Sequence, residues 1–292
     1  MSLEIKEILQ VAEARLKGAG CEEAKTDAEE LLCFLMKFDK NQLFMNWGRE
    51  LDEKLCDAYF ELLDVRASRR PLHYIIGRRE FMGFDFAVNE NVLIPRQDTE
   101  ILVETVLAHM TREKTPTGGW RALEIGVGSG AVSVSLCKNK SDLKMKATDI
   151  SPAALAVAKK NAVALAVADR IRFAVSDMFG SLRSGLGGAK YHVIVSNPPY
   201  IPEDVLPTLQ PEISEYEPAV ALCGGAGGLD AYRRILEKAH LYMKKRGTLF
   251  LEIGFDQADA VTGLIKETKR YETPEVYKDL SGNDRVVRAI AV

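Results

Sequence analysis

The chain has 292 residues, 47% of them apolar, enough for one large or two ordinary domains with sizeable cores, which excludes a disordered tail. Its 39 basic and 42 acidic residues leave a net charge of −3, so nothing global draws it to a polyanion. Cys21, Cys33, Cys56, Cys137 and Cys223 are scattered, odd in number and never spaced C-x-x-C, which fits reduced thiols in a cytosol rather than disulfides or zinc. His73, His109, His192 and His240 form no ligand spacing, so no metal is expected.

The first residues form an amphipathic segment with acidic side chains rather than a signal peptide. No apolar run approaches the length of a membrane span, so a cytoplasmic protein without membrane attachment is expected. Ile5, Ile8, Leu9, Ala12 and Leu16 fall at helical spacing, with Ser2 as candidate cap and Gly18 and Gly20 as the stop. A second helix is predicted from the capping box Thr26-Asp27-Ala28-Glu29, burying Ala28, Leu31, Leu32, Leu35 and Met36. A third carries Leu55, Ala58, Tyr59, Leu62 and Leu63. Short connections make residues 1–70 a small helical bundle, read either as a packing unit or as a docking platform.

From Pro71 the texture changes. Tyr74-Ile75-Ile76 and residues 81–88 are aromatic and β-branched, broken by Gly77 and Gly83, and Asn89-Glu90-Asn91 precedes Val92-Leu93-Ile94-Pro95. This predicts a β-hairpin linker over 71–95. Arg96-Gln97-Asp98-Thr99-Glu100 then opens a helix built on Leu102, Val103, Val106 and Leu107. The acidic cluster reads as capping and compensation of the helix dipole.

Beyond the polar linker 111–119 the pattern becomes strand, helix, strand, helix, which predicts a doubly wound, mostly parallel α/β sheet. A strand at 121–125 runs into Gly126-Val127-Gly128-Ser129-Gly130 and a small-residue helix over 131–137. Such glycines let the backbone approach a ligand, and the helix behind them offers free N–H groups. Asp149 ends the next strand, 144–148, about twenty residues on, where a carboxylate accepts from ribose hydroxyls. That is half of a nucleotide-type cofactor site. Ser151 caps and Pro152 opens the following helix, to 167. A third strand, 171–175, leads to Ser176-Asp177-Met178, where an acid and a soft apolar side chain can bracket an adenine. A fourth, Val193-Ile194-Val195-Ser196, stops at Asn197-Pro198-Pro199-Tyr200, because neither proline donates to a ladder. A glycine-rich loop at 223–228, a helix at 230–243, a strand at 248–253, a helix at 257–269 and two strands around Ser281-Gly282-Asn283-Asp284 complete the chain.

Several stretches, in order, resemble one family. They are Tyr74 to Gly77 with Glu80-Phe81, Val92 through Glu100, Gly126 to Gly130, Ser196 to Tyr200, Gly224-Gly225 and residues 279–286. Together they are similar to the S-adenosylmethionine-dependent methyltransferases, and specifically to the HemK-like protein-(glutamine-N5) methyltransferases that modify peptide chain release factors. The resemblance covers essentially the whole chain. Gln97 stands where the family often has proline and Glu124 where aspartate is frequent; both keep usable chemistry.

The resemblance implies a Rossmann-like class I methyltransferase domain with a seven-stranded sheet over 96–292, a substrate-docking domain over 1–70, and S-adenosylmethionine as cofactor. Gly126, Val127, Gly128, Ser129, Gly130, Asp149, Asp177, Met178 and Asn197 would hold the cofactor. Asn197 and Pro198, walled by Pro199 and Tyr200, would bind the acceptor amide. The expected acceptor is the glutamine of the GGQ motif in class I release factors, with no direct nucleic acid and no membrane. Three other readings compete: a glutamine of a ribosomal protein, adenine N6 in nucleic acid, or a fold that binds a partner without catalysis. The adenine reading calls for a basic target-recognition region, and no basic and aromatic interleaving is present. The non-catalytic reading calls for loss of Asn197 or of the glycines, and both are intact.

Overall fold

A computed structural model describes residues 3–182, 188 and 190–292. It divides into two compact units: Met1–Arg78 with Gln210–Tyr216, and Arg79–Leu209 with Glu217–Val292.

The first unit contains α1 (Ile5–Gly18), α2 (Ala24–Met36), α3 (Lys40–Met45), α4 (Glu53–Ala67) and α5 (Leu72–Ile76), with a short antiparallel pair, β1 (Leu3–Glu4) and β2 (Glu50–Leu51). Its core is Ile5, Ile8, Leu31, Leu32, Tyr59 and Leu63, the faces expected from helical spacing. Ser2 lies outside the described residues, and the cap of α1 is Glu4, whose N–H donates to Glu7 Oε2 at 3.1 Å. The expected capping box at Thr26 does not form. The helix starts at Ala24, and Asp27 turns inward to accept from Arg66 Nε at 2.8 Å, both side chains being buried. Tyr74-Ile75-Ile76, expected as extended, is the helix α5, entered through Pro71 and closed by Gly77 at φ +74°. Periodicity cannot separate strand from helix in so short an apolar run.

The segment 210–216, carrying α9 (Pro211–Ser214), joins this unit although the 131 residues from 79 to 209 separate it from the bundle in sequence. Glu212 accepts from Arg66 Nη2 at 2.9 Å and from Arg69 Nε at 2.7 Å, and the Tyr216 hydroxyl donates to Ser68 O at 2.8 Å. Burial pushes the Glu212 carboxyl up, but the bonds from Arg69 and Arg66 outweigh it and hold it below its ordinary range.

The second unit, from Arg79, opens with a hairpin whose first strand starts one residue earlier, β3 (Arg78–Phe81) and β4 (Phe84–Ala87), turned at Met82 and Gly83, both at positive φ. Then follow α6 (Asp98–Arg112), β5 (Trp120–Ile125), α7 (Ala131–Asn139), β6 (Leu143–Asp149), α8 (Pro152–Ala164), β7 (Ile171–Val175) and β8 (Tyr191–Ser196). After α10 (Ala219–Leu222) come α11 (Asp230–Lys238), β9 (Met243–Glu252), α12 (Ala258–Thr268), β10 (Glu275–Lys278) and β11 (Asp284–Ile290). The helix expected at 230–243 is α11 continued by a 3₁₀ turn over Ala239–Tyr242, and only Met243, the first residue of β9, falls outside it.

Seven strands make one sheet in the order β10-β11-β9-β8-β5-β6-β7, antiparallel through β11 and parallel from β9 onward. Successive side chains point to opposite faces, so in β8 Val193 and Val195 join Val103, Val106 and Phe250, while Ile194 joins Tyr232, Ile235 and Val261. Burial on both faces is why these strands read as continuous apolar runs. Among the described residues no helix is long and apolar enough to cross a membrane, and no cluster of His, Cys, Asp or Glu could hold a metal ion.

Candidate active site

β5 and β8 are neighbours at the point where the strand order reverses, so their carboxyl ends open on a common crevice. The chain leaves β5 through Gly126, Gly128 and Gly130, at φ of +75°, +52° and +85°. Gly130 lies against α8: a Cβ there would sit 3.2 Å from Ala158 Cα, whereas at Gly128 it would meet nothing. One glycine permits helix packing and the other leaves backbone bare. Asp149 braces the turn, accepting from Gly128 N and Ser151 N, each at 2.9 Å. A carboxylate has roughly four lone-pair sites, so about two stay available.

Two further residues hold the loop from behind. Glu124 is buried and accepts from Ser133 N at 3.0 Å and from the Ser133 hydroxyl; burial pushes its carboxyl up to about 8 against those bonds. Asn161 donates to Ser129 O at 2.8 Å and to Ala87 O at 3.0 Å, and accepts from Ala87 N at 2.8 Å, tying the loop to β4. An asparagine inside an alanine-rich helix was the only sign of this in the sequence.

β8 ends where the Ser196 hydroxyl donates to Ile125 O at 2.7 Å. Asn197 is half-buried and donates from Nδ2 to Thr99 Oγ1 at 3.2 Å; Pro198 is buried. The Tyr200 ring packs on the core of the α11 face, and burial pushes its hydroxyl up to about 12. The glycine-rich loop supports this segment backbone to backbone. Ile201 N donates to Leu222 O at 3.0 Å and Gly224 N to Ile201 O at 2.8 Å. A Cβ on Gly224 would come within 2.8 Å of Tyr200 Cα, and one on Gly228 within 2.1 Å of Tyr200 O. That carbonyl also accepts from Gln257 Nε2 at 3.0 Å. A stretch that reads in sequence as a loop thus sets the path of the chain beyond Asn197.

A cavity of about 410 Å³ lies between these strand ends, within the range of small-molecule sites. Gly126, Val127, Gly128, Ser129, Asp149, Asp177, Met178, Asn197, Pro198 and Pro199 all line it, while Gly130 and Tyr200 stand behind the lining. Asp177 shares its carboxylate with Arg234, whose Nη2 lies 2.7 Å from both oxygens, a partner with no sequence signal.

The cluster at the start of α6 keeps Asp98 and Glu100 in the first turn, where they compensate the helix dipole as expected, but it does not cap the helix, since its side chains are committed elsewhere. The cap position is Gln97, which makes no side-chain cap bond. Asp98 pairs with Arg285 at 3.0 Å, and Glu100 Oε1 accepts from Met82 N at 2.6 Å. Thr99 is buried against Asn197, and Arg96 donates to the buried Glu217 at 2.5 Å. Tertiary partners outcompete side-chain capping for these groups. Glu252, the one charge in the apolar run of β9 from Thr248, is buried at its end. Burial pushes its carboxyl up to about 7, with a hydrogen bond from Thr99 and the charge of Arg285 acting the other way.

Residues 7–77 match the family described as the PrmC N-terminal domain, and residues 97–208 the methyltransferase small domain. The release factor glutamine methyltransferase of Clostridium acetobutylicum is 37% identical over 99% of both chains. Those of Moorella thermoacetica and Geobacter sulfurreducens are 39% and 38% identical, over 96% and 97% of this chain and 96% and 95% of their own. With the cavity on the sheet edge and this likeness across nearly its whole length, the chain belongs to the release factor glutamine methyltransferases.

Proposed function

We propose that this protein transfers a methyl group from S-adenosylmethionine to the side-chain amide nitrogen, N5, of a glutamine in a protein, the GGQ-motif glutamine of class I peptide chain release factors. The observation that carries this is the meeting, in one cavity, of the glycine turn after β5 with Asn197-Pro198 after β8. The names of the full-length relatives support the substrate. The residues present fit the cofactor: Gly128 leaves open space beside its backbone, and Asp149 keeps lone pairs for a ribose. Gly126, Val127, Gly128, Ser129, Asp149, Asp177 and Met178 would hold it, with Gly130 admitting α8 behind them.

Bound S-adenosylmethionine supplies an electrophilic methyl. A glutamine amide is a poor nucleophile, because its lone pair is delocalised into the carbonyl. Positioning is therefore the main task of the protein, and placement of a reacting pair can lower a barrier by roughly 7–11 kcal/mol at best. The Asn197 side-chain oxygen and the Pro198 carbonyl accept the two N–H groups of the amide and turn its nitrogen toward the methyl. The same acceptors stabilise positive charge as it develops on that nitrogen, and one of the two N–H protons then passes to solvent, leaving the neutral methylated amide. Pro198 restrains Asn197 to extended backbone, and Pro199 stiffens the turn. The helical unit docks the protein substrate, and the enzyme works in the cytoplasm, where release factors act.

The test is transfer of labelled methyl in parallel mixtures with a class I release factor, the same factor carrying alanine in place of its GGQ glutamine, ribosomal protein, and duplex DNA. Label is expected only in the intact release factor. Label in DNA or ribosomal protein alone would overturn the reading.

A further inference from the structure

We infer that Arg96 is the cation that receives the α-carboxylate of S-adenosylmethionine, with Glu217 holding its guanidinium in place; this rests on S-adenosylmethionine being the cofactor. The carboxylate hangs from the same sulfur as the methyl, so a cofactor that delivers its methyl at Asn197 brings a negative charge to that end of the cavity. Beside a glycine turn the usual receiver of an anion is backbone N–H, and here most of it is spent. Gly126 N and Val127 N donate to Thr148 O at 2.9 and 3.0 Å, Gly128 N to Asp149 Oδ2 at 2.9 Å, and Gly130 N to Val127 O at 2.8 Å. At the start of α7, Ser133 N donates to Glu124. The anion therefore falls to a side chain.

The charged side chains that line the cavity are Arg96, Glu124, Asp149, Asp177, Asp230 and Arg234, so the choice is between two arginines. Arg234 is at the far end, on both oxygens of Asp177, which follows β7, three strand spacings or about 14 Å across the sheet from β8. Arg96 is at the Asn197 end: its carbonyl accepts from Thr99 N at 3.1 Å, and Thr99 Oγ1 accepts from Asn197 Nδ2 at 3.2 Å. The Arg96 side chain is 37% exposed, whereas that of Glu217 is 1% exposed. A guanidinium carries five N–H donors, and Glu217 engages the fork through Nη2 at 2.5 Å. Arg66 and Arg285 are each shared by two carboxylates, Asp27 with Glu212 and Asp98 with Asp279. Arg96 has one such partner among the described residues, and the cofactor carboxylate would be its second. The acceptor amide is the poorer partner, because a cation on its carbonyl oxygen would hold the nitrogen lone pair in the amide and blunt the nucleophile.

Calorimetry measures how full-length wild type, Arg96→Lys and the double variant Arg96→Gln with Glu217→Gln bind S-adenosylhomocysteine and its decarboxylated form, alongside the circular dichroism of each protein. The double variant leaves no buried carboxylate without its partner. Wild type should bind the decarboxylated form about 10–100-fold more weakly, the equivalent of one charged hydrogen-bonded contact. The double variant should lose a similar factor for S-adenosylhomocysteine and little for the decarboxylated form. Arg96→Lys keeps the charge without the fork and should fall between the two. Wild type that binds both forms alike overturns the inference without recourse to any variant. So does a double variant that weakens both forms equally at unchanged ellipticity, or one that keeps wild-type affinity for S-adenosylhomocysteine and raises only the KM for the release factor. Wild type that binds neither form overturns the cofactor assignment instead, and the two failures are thereby told apart.

Discussion

Replacing Gly228 by alanine isolates the support that the glycine-rich loop gives to the acceptor site. The new Cβ would lie 2.1 Å from the Tyr200 carbonyl oxygen, on a residue at φ +72°. Carbon and oxygen settle at about 3.3 Å or more, so loop or carbonyl must yield by roughly 1 Å. The positive φ costs about 1–2 kcal/mol and the overpacking about 1–3 kcal/mol, a loss of about 2–5 kcal/mol in all. Tyr200 is three residues from Asn197, and a displacement of this size at reacting groups costs on the order of 10²-fold in rate. Gly227→Ala is the internal control: its φ is +66°, but its Cβ would meet nothing within 4 Å. It should show only the backbone term, about 1–2 kcal/mol, and nearly full activity. Urea midpoints give the stabilities, single-turnover methyl transfer gives the rates, and calorimetry should find cofactor affinity little changed in both variants. Equal stability and equal rate in the two variants would refute the reasoning.

Three more outcomes follow from the same geometry. Asn197→Ala should lower kcat by about 10²–10³-fold, as for loss of one preorganised polar group at developing charge, with cofactor affinity reduced far less; an active variant would remove Asn197 from its role. Asp149→Ala should act the other way, loosening the cofactor first, because both the lone pairs facing the cavity and the brace on Gly128 are lost; calorimetry with the product cofactor measures it. Glu212→Gln leaves Arg66 and Arg69 without their shared carboxylate and should destabilise the fold by about 3 kcal/mol, near the lower end for breaking a buried pair. Because the Glu212 carboxyl is held below its ordinary value of 4.5, its contribution is fully present above that pH and is lost as the pH falls through the lower, folded value. The gap between wild type and Glu212→Gln should therefore be constant at neutral pH and close in acid, read from denaturation midpoints at each pH.

What the sequence determined by itself is what neighbours along the chain determine. Helical spacing at Ile5, Ile8, Leu9 and Ala12, the Ser151-Pro152 helix start, the glycines at 126, 128 and 130, and the apolar run halted by Pro198 and Pro199 are local signals with local causes. Because parallel strands expose their carboxyl ends together, those signals also placed Asp149 and Asn197 on one sheet edge. Only the tertiary structure decided how the polar residues are spent. Thr99 looked like a capping residue until a partner 98 positions away took it, and nothing near Glu212 in the chain pointed to Arg66, 146 positions away. Gly228 carried no sign that it yields space to Tyr200 O. A side chain's local propensity is worth at most about 1 kcal/mol, whereas a buried polar group left without its partner costs roughly 1–3 kcal/mol. Long-range pairing therefore overrides the local rule wherever the fold brings such groups inside, and it does so around Asn197.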